Sequence, residues 1–170
     1  MYAKHTVFYD ALPHYFFEFD VLDRDTGVFL STKARRAVLQ GLPVMPVPVL
    51  AEQPIGSAAE IDRLIRPSLY KTDDWRRALE QAADASGSRA EMVEMQTEDS
   101  DLAEGVYLKQ EDADTVVDRF KFVRADFVQA LQGSGGHWLD RPILPNQLAE
   151  GVDIFAPVLG VKGAYDDPRA

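Results

Sequence analysis

The sequence predicts an α+β fold: a mostly antiparallel sheet with flanking helices. Three observations lead there. Strand-like runs come first, helical runs follow, and a strand pair comes after them, an order that does not build a parallel sheet of βαβ units. The loop Glu111–Asp114 joins that last pair as an antiparallel hairpin. The chain of 170 residues is 46% apolar and 27% charged, ordinary globular composition in one domain's length.

Taken in order, residues 2–9 are rich in aromatic and β-branched side chains and read as a strand, which Pro13 and its neighbours end. Residues 15–22 (Tyr-Phe-Phe-Glu-Phe-Asp-Val-Leu) carry apolar side chains on both faces and read as a second, central strand. Asp23, Asp25 and Gly27 supply turn chemistry before a short strand at Val28–Leu30. A hydroxyl at Ser31 or Thr32 caps a helix running to about Gln40, where Gly41 stops it. Pro46 and Pro48 make Val44–Leu50 an edge strand or connector, because proline donates nothing to a ladder. Helices follow at Ser57–Ile65 and Asp73–Ala85, the second closed near Gly87. Ala103–Gln110 and Thr115–Arg124 are the hairpin strands, and Ala125–Gln132 is a helix ended by Gly133. An irregular tail from about residue 133 contains one short helix near Gln147–Glu150.

Charge and composition exclude several classes of function. At a net charge of −10 the surface as a whole does not suit nucleic acid, so any phosphate contact is local. There is no cysteine, hence no disulfide or thiolate chemistry, which fits a reducing cytoplasm. No apolar run approaches the ~20 residues of a membrane span, and Met1–His5 lacks a signal-peptide pattern. The acidic run from Glu91 through Glu104 to Asp114 reads as a solvated loop. Phosphate-cradling Lys-Ser/Thr loops and His-Glu-x-x-His are absent, the three histidines are scattered, and Gly133–Gly136 reads as a flexible turn.

Two segments carry more. Along 15–23, alternation groups Tyr15, Phe17 and Phe19 on one face and Phe16, Glu18 and Asp20 on the other. The run is either a core strand or an aromatic wall on which a purine stacks, a contact worth ~1–3 kcal/mol per base. In the hairpin, Arg119 and Lys121 share a face and suit phosphate, while Glu104 suits a divalent cation because hard cations prefer carboxylate oxygen. The other reading of these charges is cross-strand ion pairing on a wet sheet face.

In their order these segments resemble the ATP-dependent RNA ligase family of the covalent nucleotidyltransferase superfamily. Tyr15–Asp23 is similar to its aromatic motif, Tyr/Phe-x-x-Phe-Asp-hydrophobic. Glu104-Gly105-Val106 is similar to its Glu-Gly-hydrophobic motif, and Arg119-Phe120-Lys121 to its Lys-x-Lys motif. Residues 2–6, Phe29-Leu30-Ser31 with the arginine-bearing helix, and His137-Trp138-Leu139-Asp140-Arg141-Pro142 also fit.

The resemblance implies an ATP-grasp-like nucleotidyltransferase (ligase) domain using ATP and Mg²⁺. Phe19 would stack on adenine, Glu104 would support the metal, and Lys121, with Arg119, would contact the α-phosphate as the catalytic cations. AMP would pass to a 5′-phosphate end, and a 3′-hydroxyl would then seal the RNA ends, at a nick or in single strands. Two family elements are missing: no Lys-x-Asp/His-Gly stands in the sequence, Lys4 and Lys71 being poor imitations, and no Gly-Glu precedes Tyr2. The expectation is therefore one nucleotidyltransferase domain over 1–170, incomplete at its N-terminus, inactive alone, with an exposed sheet edge open to self-association. The alternatives are a non-catalytic nucleotide- or nucleic-acid-binding module, or an interaction protein that uses its acidic run.

Overall fold

The computed structural model of the chain describes residues 1–133 and 143–156. The Gly133–Gly136 turn beyond its first residue and the His137–Pro142 segment lie outside the described residues. The elements run α1 (Thr32–Leu39), α2 (Ala58–Asp62), α3 (Trp75–Ala85), α4 (Ala90–Met95), β1 (Gly105–Glu111), β2 (Val116–Val123) and α5 (Ala125–Gly133). The fold is α+β, and its sheet among the described residues is the two-stranded antiparallel pair β1–β2. No helix among them is long and apolar enough to cross a membrane.

Local chemistry explains the helices. Ser31 accepts the amide of Ala34 at 3.2 Å and starts α1, and Gly41, at φ +79°, lies just past its end. Ser57 caps α2 through the Glu60 amide, while the Glu60 carboxylate reaches back to the Gly56 amide, a reciprocal cap in a helix shorter than expected. Thr72, not Asp73, prepares α3: its hydroxyl accepts the Asp74 amide at 3.2 Å. Helix α4 falls in the acidic run read from sequence as a loop. Val93 is its reason for existing, since it is buried against α3.

The two front strands do not form as ladders, and the reasons are visible in their hydrogen bonds. Residues 2–9 spend their backbone groups on the tail: the Lys4 amide bonds to the Leu144 carbonyl, and the amides of Asn146 and Gln147 bond to the carbonyls of Tyr2 and Tyr9. In the aromatic run Glu18 makes one parallel bridge, to Pro46. Pro46 and Pro48 have no N–H groups, so the ladder cannot extend. Nor does Gln147–Glu150 form a helix. The Gln147 carbonyl accepts the Leu12 amide and the Ala149 amide bonds back to Leu12, which holds this stretch extended. The turn at 23–27 is as expected, with Asp23 accepting the Asp25 amide and Gly27 at φ +71°.

The chain gathers into two compact units. The first takes residues 1–15, 65–104 and 123–154. Its core is Phe8, Trp75, Leu79, Ala82, Ala83, Val93 and Leu144. The second takes residues 16–64 and 105–122, with Phe155 and Ala156. Its organisation rests on polar contacts: a buried Glu18–Arg35 ion pair at 3.1 Å, and α1 tied to the hairpin. There the Glu111 carboxylate accepts the Thr32 amide and hydroxyl at 2.8 and 2.7 Å, while Ser31 donates to the Ala113 carbonyl.

Candidate functional site

In the second unit the residues after Glu18 build a charged cluster around one carboxylate. Arg35 anchors Glu18 inward, and Phe19 leaves with its ring half exposed. Asp20 then meets the hairpin. Tyr107 and Lys109 alternate on β1 and share a face, and both reach Asp20. The Tyr107 hydroxyl donates to Asp20 Oδ2 at 3.1 Å, and Lys109 Nζ lies 2.7 Å from Oδ1. Lys109 also donates to the Phe19 carbonyl. Arg119, on β2, approaches Asp20 Oδ2 at 3.6 Å, with its guanidinium 3.9 Å from the centre of the Phe29 ring. The Phe19 and Tyr107 rings meet edge to face, with centroids 5.7 Å apart. Burial, and then the negative charge of Asp20 and its hydrogen bond, push the Tyr107 phenol above its ordinary pKa.

Phe19 and Arg119 are therefore linked through Tyr107 and Asp20: the Phe19 ring meets Tyr107, whose hydroxyl donates to the carboxylate that Arg119 approaches. Lys121, two residues along β2 on the face of Arg119, is exposed and pairs with no other described residue. A neighbouring cation held by Asp20 and a free one beside it form a surface suited to an anion. Sequence reading missed Asp20 and Tyr107 as participants. The Phe-Asp pair was on view, but its partners stand more than 80 residues away.

Glu104 belongs to the first unit. Its Oε1 accepts the Tyr9 hydroxyl at 3.1 Å, and burial together with this carboxylate drives the Tyr9 phenol far above its usual pKa. One carboxylate with a free oxygen fits Mg²⁺, which commonly binds through one or two carboxylates and fills its shell with water and phosphate. No cluster of three His, Asp or Glu groups able to hold a metal occurs among the described residues.

Lys71, nearest imitation of the missing nucleophile motif, is buried in the first unit. Its Nζ donates to the Ser100 carbonyl at 2.6 Å and stands 3.8 Å from the centre of the Trp75 ring. Burial lowers its pKa to about 8. The sequence around it, Lys-Thr-Asp-Asp, opens α3 and is explained by that structural duty.

No curated protein and no solved structure matches the chain. The family model described as RNA ligase matches residues 1–123, a span that takes in the aromatic run, Glu104, Arg119 and Lys121. With most of its length matched, the chain belongs to the RNA ligase family.

Proposed function

We propose that this chain is the nucleotide-holding part of an RNA ligase-like, ATP-dependent polynucleotide ligase of the nucleotidyltransferase fold, working in the cytoplasm on RNA ends. Phe19 offers its exposed ring to adenine, and Lys121, supported by Arg119, meets the α-phosphate. Glu104 is the magnesium ligand, and the ion, when bound, neutralises phosphate charge. The observation that supports this reading is the Asp20 cluster, which links Phe19 to Arg119 through Tyr107 and Asp20.

These 170 residues hold no Lys-x-Asp-Gly or Lys-x-His-Gly, so this chain does not by itself form the lysine–AMP intermediate. The test is incubation with ATP labelled at the α-phosphate and Mg²⁺, followed by a denaturing gel. No stoichiometric label is expected; an acid-stable, lysine-linked label overturns the reading. ATP affinity is expected near millimolar, about −4 kcal/mol. Lys121→Ala and Phe19→Ala weaken it in calorimetric or NMR titration. Micromolar binding, or indifference to both substitutions, means the nucleotide lies elsewhere.

The second reading is a non-catalytic nucleotide- or nucleic-acid-binding module, and the missing nucleophile favours it. An RNA already carrying AMP on its 5′-phosphate separates the two, because sealing it needs no lysine nucleophile. Joining to a 3′-hydroxyl strand supports the ligase; binding without joining supports the module.

A further inference from the structure

Tyr9 and Glu104 stand 95 residues apart in sequence and meet within the first unit. Glu104 is half-buried just ahead of β1, and its carbonyl accepts the Arg124 amide at 3.1 Å, which fixes its backbone. Tyr9 is held on both sides of its own backbone. Its amide donates to Asn146 Oδ1 at 2.9 Å, and its carbonyl accepts the Gln147 amide at 2.8 Å. Its ring stands edge-on to Tyr70, with centroids 6.0 Å apart. A phenol on so constrained a ring has one proton to give and little freedom in where to give it. The Tyr9 hydroxyl donates to Glu104 Oε1 at 3.1 Å, and no described residue donates to Oε2.

The two oxygens of Glu104 therefore differ, and divalent cations differ in what they ask of a carboxylate. Mg²⁺ takes single oxygens at about 2 Å in a near-ideal octahedron and keeps several waters, whereas Ca²⁺ gathers roughly six to eight oxygens and accepts both from one carboxylate. The bond from Tyr9 occupies Oε1 and fixes the plane of the carboxylate, which suits the first demand and opposes the second. Groups hydrogen-bonded to a metal's ligands commonly set their orientation in this way, and losing one typically costs about 10–100-fold in metal affinity. We propose that Tyr9 is a positioning residue: it confines Glu104 to ligation through Oε2 alone and so biases this site toward Mg²⁺ and against Ca²⁺. The inference rests on the reading of Glu104 as the magnesium ligand. Tyr9 itself touches neither ion nor nucleotide; it acts through Glu104.

The test is NMR of the full chain labelled with ¹³C at the glutamate carboxyls and at the tyrosine ring carbons that bear the hydroxyls. The Glu104 and Tyr9 signals are assigned by their loss in Glu104→Gln and Tyr9→Phe. Mg²⁺ and Ca²⁺ are titrated separately at pH 7 and constant ionic strength. In the wild type, Mg²⁺ should move the Glu104 signal saturably while the Tyr9 signal holds its place, because the hydroxyl stays on Oε1. Tyr9→Phe keeps the ring against Tyr70 and removes only the hydroxyl. It should weaken Mg²⁺ about tenfold or more and Ca²⁺ less, so that the ratio of the two affinities moves toward Ca²⁺. A merely structural role weakens both ions together, so an unchanged ratio in a folded Tyr9→Phe protein overturns the inference. Should that variant not fold, the wild type decides: a Tyr9 signal that leaves its bonded position as Mg²⁺ saturates Glu104 also overturns it. If neither ion moves the Glu104 signal, the magnesium reading of Glu104 itself fails, and this inference with it.

Discussion

Glu18 and Asp20, two residues apart, hold different kinds of charge. Glu18 is sealed against Arg35, and removing one partner of a buried pair strands the other. Arg35→Ala is expected to cost about 3–5 kcal/mol in a denaturant titration. Asp20 is a hub among Tyr107, Lys109 and Arg119. Asp20→Asn should bring the Tyr107 phenol back down toward its ordinary pKa, as read by ultraviolet titration against a Tyr107→Phe control. Lys109→Ala should disturb the Asp20 cluster but weaken ATP less than Lys121→Ala, since Lys109 is committed to Asp20 and the Phe19 carbonyl.

Lys71 allows a test of sign. Its folded pKa, about 8, lies below the unfolded value of 10.5, so between those limits the unfolded chain binds more protons and stability rises with pH. Below pH 8 the cost of burying the charge is present in full; above about 10.5 it is gone. The stability of the wild type relative to Lys71→Met should therefore improve as pH rises from 7 to 10. A flat difference in denaturation midpoints rejects it.

Elements whose signals are local were legible in the sequence. The serine caps at 31 and 57, the turn at Asp23 and the hairpin around Asp112 all rest on contacts a few residues long. The front strands were misread because a strand is defined by its partner. For residues 2–9 that partner is the segment 144–147, and for Glu18 it is a proline-bearing connector. Helix α4 was missed because charge was weighed above Val93, its single buried anchor. Of the candidate site, the residue types were readable, but the hub that joins Phe19 to Arg119 was not. Ser31→Ala should destabilise the chain by about 1 kcal/mol or somewhat more, since Ser31 caps α1 and also bonds to the hairpin loop. Thermal unfolding followed by circular dichroism measures it.

At the scale of the whole molecule, net charge and exposed apolar surface oppose each other. Val117 and Phe120 on β2 are 61% and 51% exposed, on a sheet that has two strands among the described residues, while the chain carries −10. Mutual repulsion dominates at low salt and is screened within about 10 Å at 0.1 M. Association measured by sedimentation should therefore increase with ionic strength, and Val117→Lys should suppress it. Salt-independent behaviour rejects this balance.

Asn146 fastens the segment 1–15 to a stretch more than 130 residues further along the chain. Its amide group reaches the Met1 carbonyl and the Tyr9 amide, its carbonyl accepts the Tyr15 hydroxyl, and it is 3% exposed. The three contacts span 145, 137 and 131 residues. On a ribosome adding 5–20 residues per second, the first fifteen residues wait roughly 7–30 s before Asn146 exists. Through that interval Val7, Phe8 and Leu12 lack the tail that completes their surroundings. The opening segment is thus a natural client for a chaperone during synthesis, and the last part of the first unit to become native.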